Sequence, residues 1–313
     1  MSQCPLVSII CLCYNHEHFL REALDSVMRQ TYPNMEVIVV DDMSTDGSMS
    51  ILSEYLQQHP EIKFISTGRN IGNCAAFNLG WRASKGAFII DFATDDVLLP
   101  ERVSQQVEAF DRLEQSYGVV YTDAEYISDA GKHLYYHSQK YRPAPDGEVF
   151  AEVLARYFIC PPTMLIRREV FEKLNGYDET LAFEDFDFWI RSARTFKYYY
   201  LNRVTTKRRI HTSALSKGLY KKGNKLLAST VKVCRKAVEL VHTAEERKAL
   251  GLRLRYEARH AYFTGNFREA EQLLMLLKQT CGLPPLYRFL NLLNRYRISL
   301  GFLRELYHMN RGK

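Results

Sequence analysis

Gly86-Ala-Phe-Ile-Ile-Asp-Phe-Ala-Thr-Asp-Asp-Val-Leu-Leu-Pro-Glu-Arg102 reads as a strand, Ala87 to Phe92, running into a turn with two adjacent acids, Asp95 and Asp96. A helix then starts at Pro100, where a missing N–H costs nothing. Ligands of α/β sheets sit outside the carboxyl ends of the strands, so an acid pair there can hold a divalent cation. Carboxylate oxygens suit magnesium or manganese, which take one or two protein carboxylates plus substrate phosphates. The same two residues would also serve as an N-cap at a strand–helix turn. The rest of the chain has to decide between these uses.

Upstream, strand-like and helix-like segments alternate. Leu6 to Cys13 is a nearly continuous apolar run of strand length, as in a parallel sheet buried on both faces. Glu17 to Gln30 carries Phe19, Leu20, Ala23, Leu24, Val27 and Met28 at helical spacing. Glu36 to Val40 is a second buried strand, and it enters Asp41-Asp42-Met-Ser-Thr-Asp-Gly-Ser48. Met49 to Gln58 reads as a helix, Ile62 to Ser66 as a third strand, and Gly72 to Ser84 as a helix leading to the first-quoted strand. This alternation predicts a doubly wound α/β domain with right-handed crossovers. Neither GxGxxG nor the P-loop pattern occurs, which disfavours dehydrogenases and P-loop enzymes. A nucleotide bound here would be held by acidic loops and metal.

Downstream, Glu101 to Ser116 is an amphipathic helix, Val119 to Ile127 a strand and Tyr135 to Asp146 a polar excursion. Phe150 to Phe158 reads as helical, Pro161 to Arg167 as a loop feeding a strand, and Val170 to Leu174 as a short helix closed by Asn175-Gly176. In Leu181-Ala-Phe-Glu-Asp-Phe-Asp-Phe-Trp-Ile-Arg191, Glu184 and Asp185 precede a helix whose apolar side is Phe186, Trp189 and Ile190. Acids in a first turn are favoured by the helix dipole; the functional alternative is a general base at the mouth of the sheet. Tyr198 to Leu201 and Val204 to Ile210 read as two strands ending at His211, a candidate phosphate or metal contact in a polar loop.

From Lys221 the pattern is helical. Thr243-Ala-Glu-Glu246 is a capping box. Tyr256 to Lys278, centred on Thr264-Gly-Asn266, resembles a single helix–turn–helix unit of the tetratricopeptide type, which does not make an array. Pro284-Pro285 opens a last helix with Leu286, Phe289, Leu290, Leu293, Leu300 and Leu303 apolar, decorated by Arg288, Arg295, Arg297 and Arg304. Such a helix fits a membrane surface or packs on its neighbours with solvated arginines.

The 313 residues allow one large or two modest domains. The net charge of +6 hides an asymmetry: residues 1–200 hold 18 Lys and Arg against 29 Asp and Glu, and residues 201–313 hold 24 against 7. The body is therefore acidic (−11) and the remainder basic (+17). A basic face can meet nucleic acid or anionic lipid headgroups, but the region carries no nucleic-acid motif, so no nucleic-acid partner is expected. No apolar run reaches the ~18–20 residues of a membrane span. Val7 to Cys13 lacks a preceding basic residue and is not read as a secretory signal. Seven irregularly spaced cysteines without CxxC argue against a zinc site or a disulfide framework, and a reducing cytosol is the expected compartment.

With these pieces placed, residues 5–215 resemble the family 2 glycosyltransferases of the GT-A fold. The resemblance rests on ordered motifs: Val7-Ser-Ile-Ile-Cys-Leu-Cys-Tyr-Asn15, Gln30-Thr-Tyr-Pro33, Val39-Val-Asp-Asp-Met-Ser-Thr-Asp-Gly-Ser48, Asn70-Ile-Gly-Asn-Cys-Ala-Ala-Phe-Asn-Leu-Gly80, Phe92-Ala-Thr-Asp-Asp-Val-Leu-Leu-Pro100 and Glu184-Asp185. It implies a Rossmann-like α/β architecture: a mixed, mainly parallel sheet flanked by helices and followed by a C-terminal helical region. Residues 1–216 would form the catalytic domain and 217–313 the basic helical region. Asp42 would accept the base N–H of a nucleotide, with Leu12, Tyr14 and Asn15 lining that pocket. Asp95 would face the ribose or donor sugar, Asp96 would ligate the metal (Mn2+ or Mg2+), Asp185 would be the catalytic base, and His211 would lie by the diphosphate.

Two positions depart from the pattern. Ala93 replaces the first Asp of the metal motif, and Phe77 stands where an Arg often precedes the Asn of the third motif, leaving Arg69 as a candidate phosphate contact. The resemblance implies inverting transfer from a nucleotide-sugar donor, UDP or dTDP favoured, to a glycan or lipid-linked acceptor in cell-surface polysaccharide synthesis. The chain is then expected in the cytoplasm, peripheral on the inner face of the membrane through its basic helices. The alternative is a non-catalytic nucleotide-sugar or glycan-binding protein of the same fold. A sugar-1-phosphate nucleotidyltransferase would need a Gly-rich basic loop after the first strand, which Cys13-Tyr-Asn-His-Glu17 does not supply.

Overall fold

The computed structural model describes residues 4–142, 144–211, 223 and 225–301. They group into two compact units. The first comprises the described residues within 4–149, 158–180 and 191–211; the second comprises those within 150–157, 181–190 and 223–301.

The first unit is built on a nine-stranded sheet. Its strands are β1 (Val7–Cys13), β2 (Met35–Asp41), β3 (Lys63–Ser66), β4 (Phe88–Ala93), β5 (Val97–Leu98), β6 (Tyr117–Ser128), β7 (His133–Tyr136), β8 (Leu165–Arg167) and β9 (Lys197–Ile210). The order is β3-β2-β1-β4-β8-β6-β9-β5, with β7 paired to β6. β1 to β4 are mutually parallel, β8 is antiparallel to β4 and β6, and β9 is parallel to β6. The sheet is thus mixed and mainly parallel, as expected. All seven residues of β1 are buried, which is why its sequence does not alternate.

Helices α1 (Leu20–Met28), α2 (Ser48–Gln58), α3 (Asn73–Ala83), α4 (Arg102–Asp111), α5 (Phe150–Ala155), α6 (Arg168–Leu174) and α7 (Asp185–Ser192) follow in chain order. α1 buries Leu20, Ala23, Leu24 and Val27 in a core shared with Val7, Ile9, Val39 and Phe92. α3 can lie close on the sheet only because position 80 is glycine: a Cβ there would stand 2.5 Å from Ile10 Cγ2 and 3.0 Å from Val40 Cγ2. α6 ends where Asn175 and Gly176 both take positive φ, and Gly176 N–H donates to Phe171 O.

Several local expectations are corrected. The Glu101–Ser116 helix stops at Asp111, where Arg112 and Leu113 donate to carbonyls three residues back and tighten the last turn. The stretch after residue 132 is a hairpin strand and a short 3₁₀ turn rather than an excursion from its first residue, because β7 pairs with β6 and Tyr135 stacks on Tyr126. The two strands read over 198–210 are one, β9, held along its length by β6 through register shifts near Asp123.

The second unit contains α8 (Lys225–Leu240), α9 (Ala244–Phe263), α10 (Phe267–Cys281) and α11 (Pro285–Arg295). Thr243 and Glu246 form the expected reciprocal capping box. α9 and α10 form one helical hairpin, turned at Gly265 (φ 73°) and packed through Leu250, Leu254, Ala261, Leu273 and Leu277. Asn294 and Tyr262 tie the α11 region back through hydrogen bonds to Phe267 O and Ile298 O. Leu303 and Arg304 lie outside the described residues. Residues 150–157 and 181–190, which precede position 217, group with these helices. No helix of the described residues is long and apolar enough to cross a membrane.

Candidate functional site

The site of the first unit grows from the carboxyl ends of β1, β2 and β4. Register places Leu12 beside both Val40 and Ala93, so the loops leaving the three strands emerge together. Leu12 O accepts both the N–H and the hydroxyl of Thr94. Tyr14 is 44% exposed at the rim. Asn15 takes a left-handed backbone (φ 59°), which Asn tolerates, and its Oδ1 accepts Thr45 N–H at 2.7 Å. Asn15 N–H and His16 N–H donate to Ser44 and Ser48 hydroxyls, joining the loops after β1 and β2.

The acids of the β2 loop are occupied. Asp41 accepts Ser44 N–H. Asp42 accepts Ile71 N–H and Gly72 N–H, both at 2.8 Å, and the Thr67 hydroxyl at 3.1 Å. It therefore anchors the loop before α3, where Gly72 takes φ 89°. Phe77 is wholly buried against Phe171 and Tyr177, and Asn78 is buried and bonded to Tyr177. Neither offers a phosphate contact, and Arg69 is exposed.

The Asp95–Asp96 turn meets the end of β9. His211 Nε2 stands 2.9 Å from Asp95 Oδ2, and His16 Nε2 stands 4.0 Å from it. Asp96 Oδ1 accepts Arg209 N–H at 2.7 Å. The buried Arg209 side chain donates to Asp95 O, Ser128 O, Asp129 O and Glu22 Oε2, and lies over the Phe19 ring. Arg209 and His16 were not singled out from the sequence. The signal was there in Lys207-Arg208-Arg209, one residue short of His211, and in His16 after Asn15, but both runs read as ordinary strand and turn.

The two acids differ electrostatically. Burial, reinforced by the charge of Asp95, pushes the Asp96 carboxyl up to about 8. Burial opposes the Asp95 charge too, yet the hydrogen bond from His211 and the nearby His16 hold its carboxyl below the usual value. Burial lowers His16. Asp95 Oδ1 is buried and, among the described residues, meets no hydrogen-bond donor. An orphaned buried oxygen costs about 1–3 kcal/mol, and a second carboxyl that keeps its proton is how crowded acids avoid mutual repulsion. A divalent cation relieves both. Among the described residues no group of three or more His, Cys, Asp or Glu could hold a metal ion. The donor set fits an ion of the magnesium or manganese kind, which takes one or two protein carboxylates and the rest from phosphate and water.

Asp185 belongs to the second unit, as the first residue of α7. Glu184 O accepts Phe188 N–H and closes that turn. The structure thus brings Leu12, Tyr14, Asn15, Asp42, Asp95, Asp96 and His211 into the first unit, whereas Asp185 is held among the helices of the second.

Comparison with known proteins agrees with this architecture. An uncharacterized glycosyltransferase of Rickettsia prowazekii is 32% identical over 67% of this chain and 65% of its own length. Chondroitin synthase of Escherichia coli is 27% identical over 67% of this chain and 30% of its own. The chain therefore spans just under two thirds of the Rickettsia relative and less than a third of the synthase. S. aureus TarS in complex with UDP superposes with a TM-score of 0.70, covering 93% of this chain and 89% of that one, at 16% identity. The mannosyltransferase PcManGT from Pyrobaculum calidifontis, in complex with GDP-Man and Mn2+, gives 0.61 over 97% and 88%, at 17% identity. These likenesses show the GT-A type of fold. The sequence model of Glycosyl transferase family 2 matches residues 8–175, and with that match across more than half of its length, the chain belongs to glycosyl transferase family 2.

Proposed function

We propose that the chain transfers a sugar, with inversion, from a nucleoside-diphosphate donor (UDP or dTDP favoured) to a hydroxyl of a glycan or lipid-linked acceptor, in cell-surface polysaccharide synthesis. The observation that carries this reading is the unpartnered Asp95 Oδ1 beside Asp96, at the carboxyl ends of parallel strands. Solved neighbours of the fold hold UDP, or GDP-Man with Mn2+. Asp96 would hold Mn2+ or Mg2+, which when bound neutralises charge on a leaving diphosphate, and Asp95 would face the ribose or donor sugar with its open Oδ1.

The chain's own residues do the rest. Leu12, Tyr14 and Asn15 line the nucleoside pocket. Asp42 fixes the backbone of Ile71 and Gly72 and accepts the Thr67 hydroxyl, which leaves one lone pair, on Oδ2, for the base N–H. His211, bonded to Asp95, stands by the diphosphate. Asp185 accepts the proton of the acceptor hydroxyl as that oxygen forms its bond to the anomeric carbon. The nucleotide leaves from the opposite face, so the centre inverts and no covalent sugar–protein intermediate is required. Asp185→Asn should keep nucleotide binding and lose transfer; near-normal transfer by this variant would remove Asp185 as the base.

Residues 1–216 are read as the catalytic domain and 217–313 as a region that docks on the cytoplasmic leaflet. α11 supports this second reading. It buries Tyr287, Leu290 and Asn294, while Phe289, Leu292 and Tyr296 face outward, each more than half exposed, beside the exposed Arg288 and Arg295. Apolar groups flanked by arginines suit an anionic lipid surface. Phe289→Ser with Arg288→Glu should weaken sedimentation with phosphatidylglycerol vesicles; unchanged binding would dismiss the docking role.

A further inference from the structure

Contacts among the described residues tie the segment that carries Asp185 to the helices that follow it in the chain. Ala182 N–H donates to Ser229 Oγ of α8 at 2.9 Å. Lys236 Nζ of α8 donates to Asp187 Oδ1 at 2.6 Å, and Asp187 is only 1% exposed. Arg253 of α9 lies face-on to Tyr157 at 3.8 Å and over Phe186 at 4.9 Å. Arg253 is itself fixed by Glu257 Oε1 and Leu154 O. The anchors fall at residues 182, 186 and 187, on both sides of Asp185.

From this arrangement we propose that Lys236 is a positioning residue for the Asp185 carboxylate. The inference rests on Asp185 being the base. A first turn with two acids, Asp185 and Asp187, is favoured by the helix dipole. Placing Asp187 in a dry environment nevertheless requires a counter-charge, since a buried carboxylate stripped of its partner is strongly destabilising. Lys236 supplies one from the neighbouring helix. The ion pair pins the backbone two residues beyond Asp185, and Ser229 pins it three residues before. Asp185 is then presented with its main chain fixed at both ends, so little freedom is lost when the acceptor hydroxyl arrives. The helices after residue 217 thereby belong to the catalytic apparatus of the chain, whatever surface they also meet.

The test uses the full chain and a steady-state assay of nucleotide release from the donor with acceptor present. Lys236→Met should lower kcat by about 10–100-fold, the scale of a misplacement near 1 Å. Donor KM and nucleotide-induced thermal stabilisation should stay within about twofold of wild type. Lys236→Arg, which keeps the charge, should recover most of the lost kcat. Ser229→Ala, nearly isosteric, should lower kcat in the same direction by a smaller factor and decides the matter if Lys236→Met does not fold. Wild-type kcat in Lys236→Met or in a folded Ser229→Ala, or no recovery in Lys236→Arg, overturns the proposal. The two failures are distinguishable: transfer by Asp185→Asn defeats the base itself, whereas inactive Asp185→Asn alongside fully active Lys236→Met defeats only the positioning.

Discussion

The proton on Asp96 gives the sharpest consequence of the geometry. In the folded protein its carboxyl is pushed from 3.8 to about 8, by burial and by the adjacent Asp95. A raised folded value means that the native state binds this proton more tightly than the unfolded chain does. Stability from it is complete below about pH 4 and is lost as pH rises through 8. Across pH 6.5–8 the unfolded Asp96 is ionised while the folded one is still largely protonated, so the slope approaches 1.36 kcal/mol per pH unit and the loss is roughly 2 kcal/mol. His16 and His137, both lowered by burial, work in the opposite direction around the unfolded value of about 6.5 and offset up to about 0.4 kcal/mol each above that pH, so the share of Asp96 is read as the difference between wild type and a variant that lacks its charge. For a unit of this size the loss is a fall of about 4–8 °C in melting temperature. The assay is thermal unfolding of metal-free protein at pH 6.5 and 8, for wild type and Asp96→Asn. The amide can still accept Arg209 N–H and carries no charge, so its profile should lack this fall. Manganese should raise the wild-type melting temperature more at pH 8 than at 6.5 and should leave Asp96→Asn unmoved. A flat wild-type profile, or the same fall in Asp96→Asn, would refute the argument.

Other outcomes follow from single contacts. Gly80→Ala should destabilise by about 1–3 kcal/mol through overpacking against Ile10 and Val40, read from denaturant midpoints. Asp42→Ala leaves the Ile71 and Gly72 amides without their acceptor, costing about 1–3 kcal/mol and abolishing nucleotide-induced stabilisation in a thermal shift assay. Thr243→Ala removes the cap of α9 and should cost about 1 kcal/mol, seen in the melting of helical circular dichroism with nucleotide affinity unchanged.

Much of the first unit was legible because its strands declare themselves. β1, β2 and β4 are largely buried on both faces, so they appear as mostly apolar runs, and the acids that follow β2 and β4 mark the carboxyl edge of the sheet. β9 was less legible. Asn202 and Arg203 read as a break, yet β6 holds both sides of them and absorbs the irregularity in its register. β7 is mostly exposed, so it lacks the burial that makes a strand visible. At the site, residue types were legible but occupancy was not. Asp42 and Asp95 look alike in sequence; only the fold shows Asp42 bonded to three donors and Asp95 with a bare oxygen. The role of Arg209 depends on contacts with Glu22 and Ser128, far away in sequence. The grouping of residues 181–190 with helices more than 40 positions later is likewise a tertiary fact with no local signature.

The measurement that bears most directly on the central claim is thermal stabilisation of wild type and Asp96→Ala by UDP, GDP, dTDP and CDP, with and without manganese. A ligand at about 100 times its dissociation constant adds about 2.7 kcal/mol to stability. The account predicts that UDP or dTDP stabilises the wild type only when manganese is present, and that Asp96→Ala loses the effect. A folded wild type that no nucleotide stabilises under either condition would contradict the assignment of this site to a nucleotide-sugar donor.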